Sequence, residues 1–150
     1  MALNNDPHEL QRFISAQNPV YAQVCAELAA GMKTSHWMWF VFLQHQALGR
    51  SATARHFGIA SRAEAQAYWR HPLLGARLKA CTELVLKVDG KIALQLFGPP
   101  DDLKFCSSMT LFAQVATDAM VFTRALQKYF DGHGDDRTIA QLAAAGPPSV

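Results

Sequence analysis

Apolar residues return at helical spacing through most of this chain. Leu10, Phe13, Ile14 and Gln17 lie three and four apart, which predicts a helix over residues 7–17 with one apolar stripe. Asn18-Pro19 reads as an N-cap followed by proline at the first helical position, opening a helix that turns Val20, Val24 and Leu28 inward and stops near Gly31. Ser61 and Glu64 form a capping box, in which Glu64 reaches back to the Ser61 amide, and the helix behind it extends to about Arg70. His71-Pro72 restarts the chain as a helix with Leu74, Leu78, Cys81, Val85 and Val88 on one face, ended by Gly90. Further helices are predicted from Ser107 to Ala116 and from Ala119 to Phe130. A last one, capped by Asp135 or Asp136, is predicted through Ala144. Residues 91–97 alternate like a strand, yet the run is short and lacks a partner, so a short helix or extended connector is expected.

One segment breaks this regular pattern. Residues 35–44 hold Trp37, Trp39, Phe40 and Phe42, with His36 and Gln44 as the strongly polar groups near the two ends. Large aromatics bury the most area per residue, so this segment is expected in the core, as the central helix or the floor of a pocket. On a continuous helix Trp37, Phe40 and Gln44 share a face, while His36 and Trp39 point elsewhere. The sum is an all-α fold: one compact domain over residues 1–150, of about six to eight helices around an aromatic-rich central one. Residues 1–6 and 146–150 are expected to fray.

Composition narrows the picture. Half of the 150 residues are hydrophobic and 17% are charged, which fits a globular core rather than disorder. The net charge of +2 gives no electrostatic case for nucleic acid; that reading needs a one-sided cluster of Arg50, Arg55, Arg62, Arg70, Arg77 and Lys79. Cys25, Cys81 and Cys106 are odd in number and widely spaced, so they read as small buried hydrophobes in a reducing compartment. The first residues lack a basic region followed by an apolar run, and no run is long enough to cross a membrane. A cytoplasmic protein is expected.

Four signatures of known chemistry fail on spacing. Lys33 does not follow a glycine directly, so the segment 31–34 is no phosphate-binding loop. Asp102 and Lys104 crowd one turn with Asp101, unlike nuclease carboxylates gathered from separate strands. His8, His36, His45, His56, His71 and His133 include no pair three or four apart for a helical zinc site, and no serine-hydrolase elbow is present. No metal is expected, and no cofactor can be named.

Three segments stay as candidates, each with a plain packing explanation beside the functional one. In the first, His36 and Trp37 would line a cavity near Arg50 and Ser51, or else belong to a buried helix. In the second, His71 and the free amides of the helix behind it would hold an anion, or the segment is a joint in which Gly75 permits close approach. In the third, Asp101, Asp102, Lys104 and Ser107 gather between apolar helices, or serve as caps and an Asp101–Lys104 pair at i,i+3.

The segments SHWMWFVFLQ (35–44) with LGRS (48–51), YWRHPLLGARL (68–78) and FGPPDDLKFCSSMTLF (97–112) together resemble one group. It is the uncharacterised bacterial family catalogued as domain of unknown function 1810, and the resemblance spans roughly residues 6–145. It implies a compact, mostly helical domain of this length and brings no activity, cofactor or catalytic residue. Some members carry the label calpastatin, a protease inhibitor of long disordered repeats, which this compact apolar chain does not resemble. The family pattern usually has proline where this chain has Leu43, which lets the aromatic helix continue through Gln44.

From the residues, the leading expectation is a small-molecule-binding domain, or an enzyme, for a nucleotide-like or phosphorylated anion. Its binding residues would be His36, Trp37, Arg50, Ser51, His71, Lys104 and Ser107. For catalysis, Asp101 or Asp102 would be the general base and His36 the proton carrier. The alternative is a non-catalytic interaction or oligomerisation module, whose motifs serve only the helical core.

Overall fold

The structure is a computed structural model that describes residues 6–145. Among these, ten α-helices and one 3-10 turn form the chain: α1 Gln11–Gln17, α2 Tyr21–Ala30, α3 Met38–Val41, the 3-10 turn Gln46–Leu48, α4 Ala52–His56, α5 Arg62–Arg70, α6 Pro72–Leu86, α7 Ala93–Phe97, α8 Asp101–Val115, α9 Met120–Phe130 and α10 Asp136–Ala145. The all-α class is as expected. The count exceeds eight because α3, α4 and α7 are single turns of four or five residues.

The central position belongs to α8. It packs on α5, α7, α9 and α10, and every residue from Ser107 to Phe112 is buried. A helix enclosed on all sides has few outside partners for its polar side chains, and Ser108 Oγ is buried without one. Ser107 Oγ donates to the Leu103 carbonyl (3.1 Å) and Thr110 Oγ1 to the Cys106 carbonyl (2.8 Å), each one turn back. The helix opens at Asp101 rather than at Ser107, since two aspartates in its first turn favour its positive end.

The aromatic run lies against α8, but it is helical only from Met38 to Val41, and the helix expected through Gln44 does not form. Val41, Phe42 and Leu43 are consecutive and all buried. Successive helical side chains point about 100° apart, so three in a row cannot share one face of a helix. Phe42 leaves the helical region (φ −111°, ψ 85°), and its ring meets Phe105 of α8 edge-on at 4.9 Å. The chain then extends far enough for His45 to pair with Ile59 in an isolated bridge, in which the Gln46 amide donates to the Ile59 carbonyl (2.8 Å) and the Ile59 amide to the Gln44 carbonyl (2.9 Å).

Punctuation is partly as read. Gly31, in the left-handed region at φ 74°, ends α2, and Ser61 Oγ accepts the Glu64 amide (3.1 Å). Two details differ. Asn18 closes α1 and Val20 opens α2, so Asn18-Pro19 is a link between helices. Glu64 turns to the Ala60 amide (2.8 Å) instead of the Ser61 amide, because its other oxygen is held by Arg12 (2.7 Å). Gly75 does permit a close approach: a methyl group there would come within 2.0 Å of the Trp69 carbonyl oxygen at the end of α5.

Candidate functional site

Trp39 is half-buried and stands between two adjoining depressions. Pro100 and Lys104, in and just before the first turns of α8, complete the ridge, with the Lys104 ammonium 5.1 Å from the centre of the indole. On one side is a cavity of about 390 Å³ lined by Gln44, Arg50, Ser51, Leu103 and Arg137 in addition to the ridge. Its lining has three cationic side chains and no carboxylate. Arg50 is exposed and makes no ion pair among the described residues. On the other side, a cavity of about 360 Å³ is lined by Lys33, Ser35, His36, Phe97 and Asp101.

A charge network supports the ridge. Asp101 lies between two ammoniums, Lys33 at 2.8 Å and Lys104 at 3.5 Å, the second being the i,i+3 pair read from the sequence. Lys33 is held further by the Ser35 carbonyl and lies 5.1 Å from the Trp37 ring centre. Across the larger cavity, Arg137 approaches Asp135 at 3.7 Å. The loop between α2 and α3 is organised by Glu27, which is buried and accepts the amides of Thr34 (2.7 Å) and Ser35 (3.0 Å) and the Trp37 indole N–H (3.0 Å). Burial alone would raise the Glu27 pKa. Hydrogen bonds from Ser35, Thr34, Gln23 and Trp37 outweigh it and hold the carboxyl well below the usual range.

The first and third sequence segments therefore meet, since Lys104 shares one depression with Arg50 and Ser51 and the other with His36 and Asp101. Four expected residues lie elsewhere. Trp37 is buried with its N–H on Glu27 and lines neither cavity, because a buried indole needs an acceptor and finds one inward. His71 caps α6, its Nδ1 accepting the amides of Leu73 (3.1 Å) and Leu74 (3.2 Å), so the side chain occupies the amides that were to hold an anion. Ser107 is buried, and its one hydroxyl proton is shared between the Leu103 carbonyl and Asp135 Oδ2 at the start of α10 (3.1 Å each). Asp102 lines neither depression, and its Oδ1 is buried with no hydrogen-bond partner.

Sequence reasoning missed Trp39, Lys33 and Arg137 as lining residues. The first had a signal: on the helical wheel Trp39 points away from Trp37, and only one of the two can face the core. Arg137 had none, since it arrives from the far end of the chain. A larger cavity, about 470 Å³, surrounds Arg12, but that guanidinium is already spent. All five of its N–H groups are engaged, by the carbonyls of His8, Glu9, His56 and Gly58 and by Glu64.

Residues 7–142 match the family described as "Protein of unknown function (DUF1810)". The chain belongs to this family. Among solved structures, this DUF1810 protein is similar to the conserved hypothetical protein Rv1873 from Mycobacterium tuberculosis, with 54% identity, 92% of this chain and 99% of that one covered, and a TM-score of 0.91. No curated protein matches the chain. The structure also shows how the aromatic turn of this DUF1810 chain ends at Leu43. Phe42 has already left the helical region, and the Leu43 amide donates to no backbone carbonyl among the described residues, so the aromatic turn ends without proline.

Proposed function

We propose that this DUF1810 protein binds a small anionic ligand, nucleotide-like or phosphorylated, on the Trp39 ridge. The reading rests on one observation: a half-buried indole borders a cavity of about 390 Å³ whose lining contributes Arg50, Lys104 and Arg137 without an acidic residue. A planar group stacks on an indole face, while guanidinium and ammonium groups take negative charge. Ser51 Oγ accepts the Ala54 amide (3.0 Å), which leaves its O–H to donate. Asp101, between two ammoniums, positions Lys33 and Lys104. If chemistry accompanies binding, His36 is the group placed to carry a proton. A cytoplasmic setting belongs to the same proposal; among the described residues no helix is long and apolar enough to cross a membrane.

A thermal-shift screen of nucleotides and phosphorylated metabolites tests this. At a hundred times its dissociation constant a ligand stabilises by about 2.7 kcal/mol. Trp39→Ala and Arg50→Ala should each weaken the hit by about tenfold or more, about 1.4 kcal/mol, and His71→Ala should leave it unchanged. A flat screen, or a hit indifferent to both ridge variants, overturns the reading. The interaction-module alternative keeps one observation in its favour: Met32, Ile92 and Leu94 are exposed near one another, where Lys33 N–H bonds the Leu96 carbonyl and Lys91 the Gly31 carbonyl. A solution mass above the 16.5 kDa monomer would favour it.

A further inference from the structure

Helices α2 and α6 pack against each other, start beside start and end beside end. Near their starts, the Arg77 guanidinium lies 4.6 Å from the centre of the Tyr21 ring. Near their ends, a methyl group on Gly31 would sit 3.2 Å from Val88 Cγ1, and Lys91 Nζ bonds the Gly31 carbonyl at 2.7 Å. The sequence offset between the facing positions is nearly the same at both ends, so the register is constant along the pair. One turn after Tyr21, on the same face, comes Cys25; one turn after Arg77 comes Cys81. The two cysteines therefore face each other. Both sulfurs also interact with the Tyr21 hydroxyl and with one another.

Closely packed helix axes are about 8–10 Å apart, and Cα atoms lie about 2.3 Å from each axis. Facing Cα atoms are then separated by about 3.4–5.4 Å, which overlaps the range of roughly 4.4–6.8 Å that a disulfide spans. We propose that Cys25 and Cys81 form a two-electron oxidation site that closes to a disulfide joining α2 to α6, with hydrogen peroxide as oxidant. The two partners differ as such a site requires. Cys25 is half-buried, so oxidant reaches it, whereas Cys81 is fully buried. Burial pushes the Cys81 thiol up to about 12, which makes it the resolving partner rather than the first nucleophile.

The steps balance without further reagents. The Cys25 thiolate attacks a peroxide oxygen, the O–O bond breaks, one water leaves, and Cys25 becomes a sulfenic acid. The Cys81 sulfur then attacks Cys25 Sγ, the S–O bond breaks, and a second water leaves with the disulfide formed. Two thiols are oxidised by two electrons and one peroxide is reduced to two waters. Cys106, whose thiol points to the His133 carbonyl (3.7 Å) on another part of the fold, stays outside the reaction and serves as an internal reference.

The experiment treats the full chain with hydrogen peroxide, blocks free thiols under denaturing conditions, and maps the peptides by mass. Of the three cysteines, one should remain alkylatable, with a peptide linking Cys25 to Cys81, and a reductant should restore all three. Cys106→Ser should still form the link. Cys25→Ser, a mild change at a half-buried position, should leave Cys81 and Cys106 free. Three free thiols after treatment, a sulfinic acid on Cys25 beside a free Cys81, or a link between two chains would each overturn the assignment.

Discussion

Glu27 shows how much one residue organises here. Its buried carboxylate gathers the backbone of Thr34 and Ser35, the Ser35 hydroxyl and the Trp37 indole, so it holds the loop that carries His36 and leads to Trp39. Glu27→Ala leaves these donors unsatisfied and should cost about 2–4 kcal/mol in urea denaturation. The folded carboxyl ionises far more readily than the unfolded one. Its contribution is complete above the ordinary value of 4.5 and fades as pH falls below it, where the unfolded chain takes up the proton first. His45 adds to the same limb, because burial lowers its pKa while Nδ1 accepts the Ala47 amide (3.0 Å), a role lost on protonation. That part of the stability is present above 6.5 and is lost as pH falls. Stability should therefore decline toward acid in two stages, and Glu27→Gln should remove the lower one. His71→Ala should cost about 0.5–2 kcal/mol, the loss of a cap and nothing more.

At the scale of elements, joints and stops decide the architecture. The close approach at Gly75 is backbone against backbone, so Gly75→Ala must push α6 away from the end of α5 and should destabilise by more than about 2 kcal/mol. Leu43→Pro tests the end of the aromatic turn. No backbone hydrogen bond is lost and Phe42 has already left the helical region, so the fold should survive by circular dichroism. Its cost should stay below that of Leu43→Ala, which empties a fully buried site and is worth about 2–5 kcal/mol. Helix existence was legible wherever apolar residues kept a period and a cap or glycine marked the end, as at Gly31, Ser61 and Pro72. It was not legible where burial is complete. The polar residues in α8 hid a continuous helix, since the Ser107 and Thr110 hydroxyls bond to its own carbonyls, and the unbroken apolar run at 41–43 hid the end of a helical turn.

For the molecule as a whole, the ridge is built by residues from four separate stretches: Lys33, Trp39 with Gln44, Arg50, and the start of α8, with Arg137 closing one side. Ligand binding there should weaken as salt rises, because part of the affinity is charge on a partly exposed surface. Titrating the thermal-shift hit between about 0.05 and 0.5 M salt measures that dependence, and an affinity unchanged across the range would argue against Arg50 and Lys104 as the anion's partners. By itself, the sequence determined the helical class, the family, most caps, and the residue types from which the candidate site is drawn, because these depend on local period and on chemistry within one turn. Only the tertiary structure decided that Trp39 rather than Trp37 faces outward, that His71 and Ser107 are spent on structure, that α8 takes the centre, and that Cys25 faces Cys81. Each of those outcomes depends on which distant segment supplies the acceptor, the ring or the opposing helix, and a linear pattern carries no distances.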